Sequence, residues 1–145
     1  MAKPKVMVAL RDMESVGDLV NLACQLSAGM GAELVAMHVV EVPPATPIGA
    51  EAEVLDHGGR EILARAQQVA QGCSRLLQTL LVRAREAGDA IVGEAKEQGV
   101  ELLVMGHHKP HPLPVSEILL GSTANYVIHH APCRVIVQIP PPDRH

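Results

Sequence analysis

A short apolar run that ends in glycine, Val100-Glu-Leu-Leu-Val-Met105-Gly106, is the stretch of this sequence that most clearly indicates the fold. Its apolar residues follow one another with little alternation, which is typical of a strand covered on both faces in a parallel sheet. Similar runs occupy residues 5–10, 33–40 and 134–138. Buried strands of this kind predict an α/β fold with a parallel sheet, because helices must cover both of its faces.

The stretches between these runs have apolar residues at helical spacing. We predict helices over residues 16–30 and 59–73, the second preceded by a loop that contains several prolines. A shorter helix is predicted to begin with Asp89 as its N-cap and to end at Gly99. The last helix is predicted to end before Pro132.

The sequence pattern alone does not decide two local assignments of secondary structure. Leu76, Leu77 and Leu80 continue the apolar stripe of the preceding helix, so residues 77–85 fit either a helix extension or a third strand. Either Ser116 or Ser122 suits the N-cap of the last helix.

Length and composition narrow the class of protein. Residues 1–145 have the length of one domain, with residues 139–145 as a tail. No apolar run approaches the roughly 18 residues of a membrane span, and the first is too short for a secretory signal. We therefore expect a cytoplasmic protein with no membrane partner. A net charge of −4 and the absence of Phe and Trp argue against a nucleic-acid partner, which needs cationic surfaces and stacking platforms.

The three cysteines, Cys24, Cys73 and Cys133, are widely spaced and form no C-x-x-C pair. Such an arrangement favours reduced thiols in small core positions.

The segment from Gly106 to Thr123 contains the residues that are most informative about ligand binding. A glycine directly after a strand lets the backbone turn sharply and approach a ligand. Gly121-Ser122-Thr123 at the start of a helix offers free backbone N–H groups and two hydroxyls, which suit an anion such as phosphate. The same residues also fit ordinary turn and capping chemistry, and spacing alone does not separate the two interpretations.

The chain resembles the universal stress protein family over nearly its whole length. The segments that carry the resemblance are Val6-Met-Val-Ala-Leu10, His38-Val39-Val40, Leu102-Leu-Val-Met-Gly106, Leu120-Gly-Ser122 and His130-Ala-Pro-Cys133. The resemblance implies a three-layer Rossmann-like α/β fold of the adenine nucleotide alpha hydrolase type, with a five-stranded parallel sheet in the order 3-2-1-4-5. It also implies that residues 77–85 form a strand and that a homodimer pairs through strand 134–138. The implied role is regulatory, in a stress response that involves a protein partner.

One branch of this family binds ATP through the motif G-x2-G-x9-G-[ST]. Carried over by position, the resemblance implies a cofactor-binding set of Ala9, Arg11, Asp12, Val39, Met105, Gly106, Lys109, Gly121, Ser122 and Thr123. It names ATP as the candidate cofactor, with Mg²⁺ accompanying the nucleotide as the only metal.

The chain departs from that motif at several positions. Lys109 stands where the second glycine is expected, and fourteen residues instead of twelve separate Gly106 from Gly121. Arg11 stands at the position of the ribose-binding Asp, with Asp12 displaced by one. A guanidinium cannot accept hydrogen bonds from ribose hydroxyls. We therefore predict a degenerate nucleotide-binding cleft, with an ATP site of weak hydrolytic activity as the alternative.

The histidines suggest a third interpretation. His107, His108 and His111 cluster in one loop, which is compatible with a metal- or pH-responsive module. Their spacing matches no strong zinc motif, so we expect no metal site there. His38 lies inside a predicted strand, and we expect it to be a partly buried residue with its hydrogen bonds satisfied. No catalytic residue is predicted.

Overall fold

The computed structural model describes residues 3–47, 53–107 and 121–139. Strands and helices alternate through these residues, as the apolar runs and stripes predict. In chain order the elements are β1 (Lys5–Ala9), α1 (Val16–Met30), β2 (Glu33–Glu41), α2 (Glu53–Gly72), β3 (Leu77–Ala84), α3 (Ala87–Glu97), β4 (Leu102–Gly106), α4 (Ser122–His130) and β5 (Arg134–Gln138).

The five strands form one parallel sheet in the order β3-β2-β1-β4-β5. This order confirms the predicted three-layer Rossmann-like fold. In β1, Val6 and Val8 pack in the cluster that contains the buried faces of α1 and α2. Met7 and Ala9 pack in a second cluster with α3 and α4. Because both faces are covered, neighbouring residues of one strand are buried together, which explains the unbroken apolar runs.

The open assignment at residues 77–85 is settled as a strand. Helix α2 ends at Gly72, and Ser74 takes a positive φ of 58°, which a continuing helix does not allow. The guanidinium of Arg75 then donates a hydrogen bond to the carbonyl of Ala32, 2.7 Å away. The turn at Ser74 and the hydrogen bond from Arg75 thus separate β3 from α2, although the leucines of β3 continue the apolar stripe of that helix in the sequence.

Several element boundaries differ from the sequence-based expectation. Helix α2 begins at Glu53 rather than near Gly59. The N-cap of α3 is Glu86, so Asp89 lies in the first turn instead of capping it. An acidic residue is also favourable there, because it faces the positive end of the helix dipole. Gly121 is the N-cap of α4 and Ser122 is its first residue, whereas Ser116 lies outside the described residues.

The thiols differ in burial. Cys24 is in the core, as expected, but Cys73 and Cys133 are only half-buried. All three are free. Across the described ranges, no helix is both long and apolar enough to cross a membrane. Of the expected tail, only Ile139 belongs to the described residues.

Candidate functional site

A cleft lies at the carboxyl-terminal edge of the sheet, where the strand order reverses between β1 and β4. In this fold class, connections leave β1 and β4 toward opposite faces, which opens a crevice at this point. The cleft is bordered by the ends of β1, β2 and β4 and by α1, α3 and α4. Its lining consists of Ala9, Leu10, Arg11, Asp12, Ser15, Leu19, Met37, Val39, Glu41, Ala87, Ile91, Met105, Gly106, His107, Gly121, Thr123 and Ala124.

Most of the residues implied by the family motif meet in this cleft. Those that line it are Ala9, Arg11, Asp12, Val39, Met105, Gly106, Gly121 and Thr123. Ser122 lies between two lining residues but is exposed and is not part of the lining. Lys109 falls outside the described residues. Gly106 and Gly121, far apart along the chain, thus border the same crevice.

Gly106 has a packing role as well as a position at the cleft. A Cβ atom on this residue would lie 3.2 Å from Cδ1 of Leu19 on α1, closer than an ordinary van der Waals contact. Gly106 is also the last residue of β4 rather than the first residue after it. The absence of a side chain therefore lets α1 approach the end of β4, which is a reason for glycine that does not depend on a ligand.

The segment after β1 is held by a set of hydrogen bonds. The backbone N–H of Leu10 donates to the carbonyl of Met37 at 2.8 Å. Nδ1 of His38 lies 2.8 Å from the carbonyl oxygen of Leu10, which requires the proton on that nitrogen. This contact confirms the expectation that His38 is a satisfied, partly buried residue. These two hydrogen bonds to β2 therefore fix the direction of the backbone that leads to Arg11.

Asp12 is also positioned locally. Its Oδ1 accepts a hydrogen bond from the backbone N–H of Ser15 at 3.0 Å. The hydroxyl of Ser15 donates in return to the carbonyl of Asp12 at 3.3 Å. This reciprocal turn leads into α1 and keeps the carboxylate of Asp12 at the border of the cleft. Arg11, by contrast, is exposed.

The opposite side of the cleft is formed by the end of β4 and the start of α4. The backbone N–H of His107 donates to the carbonyl of Gln138 on β5 at 3.0 Å. The N-cap of α4 is Gly121, whose carbonyl accepts the N–H of Asn125 at 3.0 Å. The N–H groups at the first positions of a helix have no partner inside it and carry its positive dipole end. This side therefore offers main-chain donors to an anion.

Beyond the cleft, an ion pair links α2 to β3. Arg83 donates to both carboxylate oxygens of Asp56, and the side chain of Asp56 is almost fully buried. The hydrogen bond from Arg83 holds the pKa of Asp56 below its usual value, and Arg60 acts in the same direction. Neither Asp56 nor Arg83 lines the cleft. We interpret this pair as structural.

Helices α3 and α4 meet beside the cleft through the single tyrosine. The hydroxyl of Tyr126 donates to Oδ1 of Asp89 at 3.2 Å, and its ring stacks on His130 with centroids 4.1 Å apart. Burial, followed by the negative charge of Asp89, raises the pKa of Tyr126. A Cβ on Gly88 would lie about 3.0 Å from the tyrosine ring, so the glycine permits the close packing of these helices.

Of the three histidines behind the metal- or pH-responsive interpretation, only His107 belongs to the described residues. His107 lines the cleft, whereas His108 and His111 fall outside the described part of the chain. His129 and His130 contact backbone carbonyls one turn earlier in α4. Within residues 3–47, 53–107 and 121–139, no three His, Cys, Asp or Glu side chains are grouped so that they would hold a metal ion.

Sequence reasoning missed about half of the cleft lining. The missed residues are Leu10, Ser15, Leu19, Met37, Glu41, Ala87, Ile91, His107 and Ala124. Glu41 follows Val39 by two residues on β2, so its place at a strand end was a usable signal. The contributions of α1 and α3 come from helix packing, for which the sequence gives no direct signal.

Comparison with known proteins agrees with this architecture. A model of the universal stress protein family matches residues 4–138. Universal stress protein A homolog 2 from Coxiella burnetii is 34% identical over 137 residues, which cover 91% of this chain and 92% of that protein.

Two solved structures have the same fold. A universal stress protein from Archaeoglobus fulgidus, in complex with dAMP, has a TM-score of 0.72 at 22% identity, covering 94% of this chain and 97% of that one. A universal stress protein family protein from Arabidopsis thaliana, with AMP bound, has a TM-score of 0.69 at 16% identity, covering 97% and 94%. With a family model matched over almost all of its length and a 34% identical relative, this chain belongs to the universal stress protein family.

Proposed function

We propose that the cleft binds an adenine mononucleotide and that its occupancy regulates an interaction with a protein partner in a stress response. The observation that carries this proposal is the meeting of Asp12, Gly106 and Gly121 at one crevice between β1 and β4. The dAMP and AMP bound by two structurally similar members of the family support the choice of ligand.

The base would lie against the apolar part of the cleft. Ala9, Met37, Val39 and Met105 are the apolar lining residues at the ends of three adjacent strands. A planar ring buried against such side chains gains hydrophobic and dispersion energy without an aromatic partner. This part of the cleft thus suits a purine even though the chain contains neither Phe nor Trp.

The ribose would be bound by Asp12. A carboxylate has about four acceptor positions, and the hydrogen bond from Ser15 uses one of them. The displacement of this carboxylate by one residue from the family position therefore does not remove an acceptor from the cleft. Arg11, which occupies the family position of the ribose-binding Asp, would supply a positive charge for the phosphate.

The phosphate would lie at the start of α4. Gly121 and Thr123 border the cleft there, and the first N–H groups of the helix favour an anion. In the connection between β4 and α4, Lys109 replaces a glycine and three prolines lack an N–H donor. We therefore propose that the β- and γ-phosphates of ATP gain little binding energy, so the site is degenerate with respect to ATP.

Isothermal titration with AMP, ATP and GMP, each with and without Mg²⁺, tests the proposal. We expect AMP to bind at least as tightly as ATP, with little effect of Mg²⁺, and GMP to bind more weakly than AMP. Tight, Mg²⁺-dependent binding of ATP would show a complete triphosphate site and contradict the degenerate interpretation. Failure of all three nucleotides to bind the folded protein would contradict the proposed function itself.

We also propose that the protein is a cytoplasmic homodimer paired through β5. This strand is at the edge of the sheet and pairs with β4 on one side. Val135, Ile136 and Val137 on it are only partly buried, which leaves apolar surface for a partner copy. Light scattering during size-exclusion chromatography should give twice the monomer mass at micromolar concentration; a monomer mass there would contradict this arrangement.

A further inference from the structure

We propose that Cys24 and Cys73 form a reversible disulfide when the protein meets a peroxide, so that oxidation cross-links α1 to the end of α2. The two residues are 49 positions apart in the sequence, and no C-x-x-C pattern marks them. The inference does not depend on the nucleotide cleft, because neither cysteine lines it.

The packing of two helices brings these cysteines together. Cys24 is 3% exposed and belongs to the core cluster on the α1 and α2 face of the sheet, and Cys73 packs against the same cluster. The thiol of Cys73 donates to Oδ1 of Asn21 at 3.2 Å. Asn21 precedes Cys24 by three residues, so both lie on the same side of α1. The sulfur of Cys73 therefore lies against the part of α1 that carries Cys24.

The position of Cys73 is fixed by the end of its helix. Its backbone N–H donates to the carbonyl of Ala70 at 3.0 Å, in the turn that precedes the positive φ of Ser74. The Arg75 side chain anchors this turn to Ala32, which directly precedes β2. A disulfide requires a narrow range of Cα and Cβ separations, and this anchored turn holds Cys73 in a defined position against α1.

The two thiols have unequal environments. Burial, together with a hydrogen-bond contact to Cys73, raises the pKa of Cys24 to about 12, while the charge of Arg75 acts in the opposite direction. Cys24 is thus held as a thiol. Cys73 is half-buried and accessible from the surface, and is the sulfur that a small oxidant reaches first.

The reaction balances with hydrogen peroxide as the oxidant. The thiolate of Cys73 attacks one peroxide oxygen, the O–O bond breaks, and a sulfenic acid and hydroxide form. The sulfur of Cys24 then displaces the sulfenic oxygen, which leaves as water with the Cys24 proton. The hydroxide takes up the proton that Cys73 lost earlier. Two thiols and one peroxide give one disulfide and two waters, and a dithiol reductant reverses the change.

The test uses the full chain treated with hydrogen peroxide and then alkylated. We expect a mass two hydrogens below that of the reduced chain with one alkyl group added, and a peptide pair linked through Cys24 and Cys73 after proteolysis without reductant. Because the bond closes a loop of about 50 residues, Tm should rise by about 10 °C and fall back on addition of dithiothreitol.

Two variants serve as matched controls. Cys73→Ser changes a half-buried residue and should abolish both the linked peptide and the rise in Tm. Cys133→Ser changes another half-buried cysteine, on the opposite face of the sheet, and should leave both intact. Over-oxidation of Cys73, or disulfides only between chains, in wild-type protein that remains folded would overturn the proposal.

Discussion

On one side of the cleft, side chains hold the backbone in place; on the other, main-chain atoms do so. At the end of β1, His38 fixes the carbonyl of Leu10, and Asp12 and Ser15 bond to each other. At the end of β4, the N–H of His107 bonds to the carbonyl of Gln138, and α4 begins at Gly121, which has no side chain to cap it. We call these the β1 wall (residues 10–15 with His38) and the β4 wall (Gly106, His107, Gly121 and Thr123).

The difference predicts how each wall responds to mutation. In the β1 wall, His38 and Ser15 position the backbone and the proposed ribose ligand Asp12, so changes to these two side chains act through position and through stability. The β4 wall presents its own backbone, so an added side chain there meets the ligand directly. Substitutions at Gly121 of the β4 wall should therefore affect binding most and stability least.

Gly121→Asp should have the largest effect on nucleotide binding. Gly121 has a φ of −64°, which any residue adopts, and aspartate is a favourable N-cap, so the fold should be retained. The added carboxylate would repel the phosphate at the start of α4. We expect a loss of about 100-fold in AMP affinity, or about 2.7 kcal/mol, measured by isothermal titration.

Gly121→Asn is the matched control for charge. It has nearly the same shape and also caps helices well, so its loss of affinity should be much smaller. If the Asp and Asn variants lose affinity equally, steric hindrance rather than charge is responsible. If neither variant changes binding, the phosphate is not at α4.

Gly59→Ala should destabilise the support of the β1 wall. A Cβ on Gly59 would lie 2.7 Å from Cδ2 of His38 and 2.7 Å from Cδ1 of Leu81, closer than side chains tolerate without moving. We expect the free energy of unfolding in urea to fall by about 1–3 kcal/mol.

Gly58→Ala, in the neighbouring position of the same helix, should do the opposite. A Cβ there meets nothing within 4 Å, and alanine favours a helix by about 0.5–1 kcal/mol over glycine. Equal effects of the two substitutions would show that α2 does not press on His38.

His38→Leu tests the bond that directs the β1 wall. Leucine fills similar space but leaves the carbonyl of Leu10 without its donor from His38, which should cost about 1–2 kcal/mol of stability. AMP affinity should fall several-fold because the segment that leads to Asp12 loses its support. His38→Asn, whose amide nitrogen takes a position similar to Nδ1, should retain most of both properties; the same loss in both variants would refute a hydrogen-bonding role.

The smallest expected effect is a pH dependence of stability that comes from the buried thiol of Cys24. The pKa of Cys24 is raised from 9.0 to about 12, chiefly by burial, so the folded state keeps its proton while the unfolded chain loses it. Stability is therefore unaffected by this group below pH 9 and decreases as the pH rises from 9 towards 12. By pH 10, the loss should be about 1 kcal/mol in reduced protein.

Urea unfolding at pH 8 and pH 10 measures this effect. Cys24→Ala should reduce the difference between the two pH values, and Cys133→Ala, which replaces a less buried thiol whose pKa is also raised by burial, should reduce it less. An unchanged difference in Cys24→Ala would show that other groups cause the alkaline sensitivity.

Much of the fold was predictable because a strand that is buried on both faces forms a continuous apolar run in the sequence. The apolar runs at β1, β2, β4 and β5 mark those strands directly, and Gly31 with its φ of 62° ends α1 where the pattern indicates. Strand β3 was not predictable by pattern, because Leu76, Leu77 and Leu80 fit a helix equally well. The contacts that end α2 there, at Ser74 and Arg75, depend on residues distant in the sequence.

The candidate site was predictable only in part for a similar reason. The strand-end residues Ala9, Val39 and Met105 were implied by the resemblance to the family, and the parallel topology agrees with it, since all strand ends share one edge. Ser15, Leu19 and Ile91 reach the cleft because α1 and α3 pack at particular angles, which periodicity does not encode. Asp89 shows the same limit, because its proximity to Tyr126 is determined by α3 packing on α4.

The packing of Tyr126 beside the cleft also gives the protein an intrinsic fluorescence probe. Because the chain contains no Trp and one Tyr, its ultraviolet emission comes from a single phenol. That phenol bonds to a carboxylate on α3 while its ring belongs to α4, and both helices border the cleft. A carboxylate in this position quenches phenol fluorescence, so any ligand that separates the two helices should brighten the emission without an added dye.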